Sequence, residues 1–208
     1  MEKVEINKNM KLSEHFTLGE MCKTKHVTAD GNIPSRVVIE NLIRVCGWLE
    51  DLRYSYNRLY VWNVEGGMWN ENCHVALCAE VRPQSKVVAG VRPQSKVAGD
   101  CTLAPDPGAA PSSRKEEPIV INSGYRSPEV NRLAGGADNS NHLTGCAVDI
   151  RCAGKEQMIR YASILLDIAD GTKREFDELL LEQHGSVCWL HFAVRPKENR
   201  RIIRFLRV

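Results

Sequence analysis

Apolar residues recur at helical spacing from Pro34 onward: Ile39, Leu42, Ile43, Cys46, Leu49 and Leu52. A proline suits the first turn, so the pattern predicts a scaffold helix running through Arg53. A second amphipathic stretch runs from Gly154 to Ala169, with Met158, Ile159, Ala162, Leu165, Leu166 and Ala169 turned inward and Gly171 as its stop. Between them, Ser127-Pro128-Glu129 combines a capping serine, a first-turn proline and an early acid, and Gly135-Gly136 closes that short helix. Other segments change period from 3.6 to 2. Cys146 to Ile150 is a short apolar run that reads as a strand, with Ala147, Asp149 and Arg151 on one face and Val148 and Ile150 toward the core. Near the C-terminus, Val187, Trp189, His191 and Ala193 share one strand face, and Cys188, Leu190, Phe192 and Val194 share the other. A partner strand precedes it, joined near His184-Gly185-Ser186, and residues 201–208 are expected to add an edge strand.

The stretch 55–117 has neither period. Val81-Arg82-Pro83-Gln84-Ser85-Lys86-Val87 recurs as Val91-Arg92-Pro93-Gln94-Ser95-Lys96-Val97. Two copies are too few for a solenoid. The Pro, Ala and Ser run that follows is linker-like. Three parts are therefore expected: an N-terminal helical segment (1–54), a flexible insertion carrying a duplication (55–117), and a core (118–208).

A chain of 208 residues, 43% of them hydrophobic, can bury one sizeable core. With 28 Lys and Arg against 26 Asp and Glu, its net charge of +2 makes no case for a nucleic-acid partner. No apolar run is long enough to span a bilayer. Residues 1–10 are polar, so no secretory signal is expected and the chain is placed in the cytoplasm at synthesis. The eight cysteines form no C-x-x-C pair, and without a signal they are expected to be free thiols. A second, cysteine-based zinc site from Cys73, His74, Cys78 and Cys101 fits no usual finger spacing.

Candidate chemistry lies in residues 140–149, which read S-x-H-x-x-G-x-A-x-D, and in a later W-x-H ending at His191. His142, Asp149 and His191 offer two imidazoles and a carboxylate. Three protein ligands suit a zinc ion and leave its fourth tetrahedral position open, which separates a catalytic site from a closed structural one. Gly145 allows a sharp turn between His142 and the strand bearing Asp149. Parity lets His191 aim at a metal while its neighbours pack.

These residues resemble the zinc D-Ala-D-Ala carboxypeptidase and dipeptidase family, which includes bacteriophage peptidoglycan endopeptidases. Every position of that family's S-x-H-x-x-G-x-A-x-D and W-x-H signature is matched. The phage branch also resembles this chain in P-I-V-I-N-S-G-Y-R-S (118–127), F-D-E-L-L-L-E (176–182) and L-S-E-H-F (12–16). The resemblance covers roughly residues 10–54 and 118–200. It implies a hedgehog/DD-peptidase-like α+β fold, with a small antiparallel sheet carrying the zinc site between flanking helices. It implies one Zn²⁺ per chain on His142, Asp149 and His191, with peptidoglycan stem peptides as substrate. The chain is expected to be a monomer and, having no secretory signal, to reach the wall through lysis-linked release.

The resemblance also assigns Arg126 to the substrate or the developing oxyanion, a task that suits a planar guanidinium, and Ser140 to a substrate hydrogen bond. Several family members place the general base three residues before the last histidine, where this chain has Cys188. Glu182 and Glu178 remain as candidates on one strand face. Glu182 is preferred because it closes the F-D-x-L-x-x-E segment. Which stem bond is cut stays open between a D,D-carboxypeptidase and an endopeptidase. The rival reading is a non-catalytic zinc-containing binding module of the same fold, as in the hedgehog signalling domain. A third, a cysteine hydrolase pairing a thiol with His184, is separable by iodoacetamide.

Overall fold

The computed structural model describes residues 7–59 and 116–207. The expected insertion, its duplication and the cysteine-based zinc site lie almost wholly outside the described residues.

Helix α1 (Leu18–Met21) is one turn long and opens on a capping box, in which Thr17 and Glu20 satisfy each other's backbone N–H groups. Helix α2 (Arg36–Leu59) is the predicted scaffold helix, and it runs on beyond Arg53. Its buried stripe is Leu42, Val45, Cys46, Trp48, Leu49, Leu52 and Tyr56. Ile43, expected inside, is 44% exposed, because Val45 and Trp48 hold the inner face instead. Helix α3 (Pro128–Leu133) starts as predicted, with the Ser127 hydroxyl accepting from the Val130 N–H at 3.3 Å. Helix α4 (Lys155–Thr172) buries Met158, Tyr161, Ile164, Leu165, Ile168 and Ala169. Ile159 is exposed, and the helix passes through Gly171 to stop at Lys173, which takes the left-handed conformation (φ 55°). Each fully buried Leu or Ile contributes about 2 kcal/mol by removing apolar surface from water.

Strands β1 (Ile121–Ser123), β2 (Ala147–Cys152), β3 (Glu178–His184), β4 (Val187–Ala193) and β5 (Ile202–Arg207) form one sheet in the order β1-β2-β4-β3-β5. The class is α+β, as expected. The first four strands are antiparallel. The predicted edge strand β5 is present but runs parallel to β3, which makes the sheet mixed. The β3–β4 hairpin turns at Gly185-Ser186, with Gly185 in the left-handed region (φ 58°). One face of the sheet packs on α2 and α4. There Trp48 of α2 meets Phe192 of β4 at 5.3 Å and Phe176 at 6.5 Å between ring centroids. The other face is left for the polar residues.

Candidate metal centre

Asp149 and His191 are direct cross-strand partners on β2 and β4, so their side chains leave the sheet side by side. His142 reaches them from a 3-10 turn (Asn141–Thr144). That turn docks on α2 through the Asn41 side-chain N–H₂, which donates to the Thr144 carbonyl at 2.9 Å. It ends at Gly145 with φ 70°, and a Cβ there would lie 2.8 Å from the Val38 carbonyl oxygen. Both the backbone conformation and the close approach of α2 therefore demand glycine. The result brings His142, Asp149 and His191 together, all buried, with one donor atom from each within 4.8 Å of the others.

The imidazoles are oriented from behind. The Gly124 carbonyl lies 2.6 Å from His142 Nδ1, and a carbonyl only accepts, so Nδ1 carries the proton and Nε2 presents its lone pair. His142 Nε2 is 3.2 Å from His191 Nδ1 and 3.2 Å from Asp149 Oδ1. His191 Nδ1 sits 3.0 Å from Asp149 Oδ1, while its Nε2 faces Glu178 Oε2 at 3.5 Å. Each histidine thus points one nitrogen into the cluster and gives the other to an oxygen acceptor, the arrangement that fixes a metal-binding tautomer. Electrostatics favour a cation as well. Burial pushes the His191 pKa down, but Asp149 and Glu178 overcome it and raise it to about 9. Burial likewise opposes ionisation of Asp149, yet the two imidazoles hold its carboxyl well below the usual range. Donor types, spacing and orientation fit a zinc ion.

The cluster opens into a cleft of about 520 Å³ whose lining includes Arg126, Ser140, Glu178, Glu182 and Trp189. Arg126 Nη2 donates to Asp149 Oδ2, and its Nε donates to Ser123 Oγ at 2.8 Å. Ser140 caps the 3-10 turn by accepting from the His142 N–H. Cys188 faces the core, away from the cleft, opposite Cys152 on β2 and Gln183 on β3. The missing acid at that position therefore removes nothing from the cleft. The five described cysteines are free, and burial raises the thiols of Cys22, Cys46 and Cys152 to about 12, which makes poor nucleophiles of them.

Glu178 and Glu182 share the cleft face of β3 with Leu180, which stands opposite His191. Their surroundings push them apart. The hydrogen bond to His191 lowers Glu178, against burial and with help from Asn141. Burial raises Glu182 above the ordinary glutamate value.

Behind Glu178 lies a network that sequence reasoning did not reach. Asp177, fully buried, accepts two hydrogen bonds from the Arg200 guanidinium at 2.7 and 2.8 Å and one from Asn141 at 2.8 Å, with Arg195 at 3.0 Å. Arg200 and Asn141 each also donate to Glu178, at 2.7 and 2.9 Å. The available signal was parity: Asp177 falls in step with Leu179 and Leu181, whose side chains face the core, and a carboxylate there must be paired.

Residues 112–173 match the family model for Peptidase M15. The chain carries an M15 peptidase segment. That family includes the D-Ala-D-Ala carboxypeptidases, so the match and the resemblance read from the motifs agree on a family of metallopeptidases. The M15 segment contains Arg126, Ser140, His142 and Asp149. It ends before Glu178, Glu182 and His191, which the fold brings to the same cleft. No curated protein matches the chain closely enough to count as a relative.

Proposed function

We propose that the chain is a zinc-dependent peptidase that hydrolyses peptide bonds in bacterial peptidoglycan stems. The observation that carries this reading is one cleft holding the buried His142, Asp149 and His191 together with two glutamates of opposite character. When bound, zinc supplies Lewis acidity and brings the pKa of water to about 7. Glu182 is the proton carrier. Its raised carboxyl accepts a proton from the attacking water at a carboxylate oxygen and returns it to the leaving amine. Glu178, held as an anion, does not cycle; it fixes His191. Arg126 neutralises Asp149 and presents its remaining N–H groups to the substrate carboxylate or the developing oxyanion. Ser140 adds a hydroxyl donor at the cleft wall.

Purified peptidoglycan incubated with the protein tests this, with and without a chelator. Free D-alanine marks a D,D-carboxypeptidase, and new internal amines mark an endopeptidase. Lysis-linked release from the cytoplasm would bring the protein to that substrate. Zinc uptake with no product in either assay is the outcome that favours the binding-module reading.

A further inference from the structure

Beside the metal cleft lies a second cleft of about 430 Å³, lined by Lys23, Lys25, His26, Ser123 and Arg126 among others. The two clefts share Arg126 and Ala134. Their charge differs. Arg126, Arg195 and Arg200 face Asp149, Glu178 and Glu182 in the first, whereas the second has Lys23, Lys25 and Arg126 and no carboxylate in its lining. Both lysines are exposed, and among the described residues neither has an ion-pair partner.

The lysine loop is fixed relative to Arg126. The Tyr125 N–H donates to the Met21 carbonyl at 2.7 Å, and a Cβ on Gly124 would lie 2.3 Å from the same oxygen. Buried Asn32 bridges the two segments. Its side chain donates to the Cys22 carbonyl at 2.9 Å and the Tyr125 carbonyl at 3.3 Å, and accepts from the Ser127 N–H at 2.7 Å. The loop that carries the two lysines is thus anchored at both its ends, near Cys22 and at Asn32, to the residues that flank Arg126. Such placement serves recognition, because little order remains to be imposed on the loop when a ligand arrives.

We infer that this cleft is an anionic subsite, in which Lys23 and Lys25 bind a carboxylate-bearing segment of the substrate that extends past Arg126 from the metal cleft. The inference rests on the proposed peptidase function and names what the substrate must carry beyond the cleaved bond. A D-glutamyl residue with a free carboxylate has that chemistry, and its carboxamide does not.

Binding tests it apart from turnover. The full chain, without added metal, is titrated by calorimetry with a D-glutamate-containing stem peptide and with the same peptide carboxamidated at that residue. Wild type is expected to favour the carboxylate form by roughly tenfold, as two exposed ion pairs allow, and to lose the preference as salt rises. Lys23→Ala/Lys25→Ala is expected to bind both peptides alike, with an unchanged melting temperature. Lys23→Glu/Lys25→Glu should favour the carboxamide. Equal affinity of wild type for the two peptides, or a preference that survives in the double alanine variant, overturns the inference. Loss of peptidoglycan cleavage by wild type would instead remove the peptidase reading and leave the binding result to be read by itself.

Discussion

Glu178 Oε2 stands 3.5 Å from His191 Nε2, on the side of the ring away from Asp149 and His142. This contact decides which nitrogen of His191 faces the cluster. It also separates the two glutamates of β3, because a carboxylate committed to an imidazole N–H is not the one that carries a proton to and from substrate.

That separation is testable. Glu182→Gln keeps shape and metal but cannot accept a proton, so turnover should fall roughly a hundredfold or more. Zinc content should stay at the wild-type level. Glu178→Gln should instead weaken zinc affinity by about 10- to 100-fold, with activity recovering as zinc is added. Burial raises Glu182, so the acid limb of the wild-type pH profile should lie above the ordinary glutamate value and vanish in Glu182→Gln. Undiminished turnover in Glu182→Gln would exclude Glu182 as the base.

Metal content is the simplest measurement. Elemental analysis of purified protein should find about one zinc per chain, and His142→Ala should lose it. A wild-type protein that takes up no metal on titration would end the peptidase reading.

Asp177 should matter for stability. Burial opposes its ionisation, yet the bonds from Arg200 and Asn141 hold its carboxyl below the usual range. A depressed folded-state pKa contributes stability above the unfolded value, and that contribution is lost as pH falls through the folded value. Melting temperature should therefore drop below about pH 4, and less steeply in Asp177→Asn. The substitution should cost roughly 2 kcal/mol at neutral pH, less than a fully buried pair, because Arg200 is part-exposed and screened. Thermal melts across pH decide it.

Residues 61–114 should be dispensable for folding. Asn57 at the end of α2 pairs with Glu117 through two bonds, at 2.7 and 3.0 Å, and Arg53 meets Glu116 at 2.6 Å. The chain thus returns beside the point it left. Loop length adds little entropic cost, so a short Gly/Ser replacement should keep the wild-type circular dichroism and melting transition within a few degrees. An unfolded product would show that the segment is part of the core.

The two inward-facing residues that the helix readings misplaced share one reason. Ile43 and Ile159 are apolar and in step with their neighbours, yet exposed, while Tyr161, Ile164 and Ile168 supply the inner face of α4. A periodic pattern gives a stripe wider than the surface it covers, and the partner's shape selects which edge of the stripe is buried. Gly171 did not end α4, because a glycine within a helix costs only about 1 kcal/mol and packing over the preceding turns outweighs it.

From the sequence alone came helices α2, α3 and α4, strands β2 to β5, and the pair of motifs, whose family resemblance singled out His142, Asp149 and His191; strand parity and a required turn glycine are local constraints and agree with it. Arg126 and the two glutamates were also legible as cleft candidates. What the tertiary structure decided is non-local: the β3–β4 register that sets Leu180 opposite His191, and the parallel pairing of β5. It also decided the Asp177, Arg200 and Asn141 support behind Glu178 and the meeting of the lysine loop with Arg126. Environment, not residue type, separates Glu178 from Glu182, since desolvation and hydrogen bonding act in opposite directions on two identical side chains four residues apart.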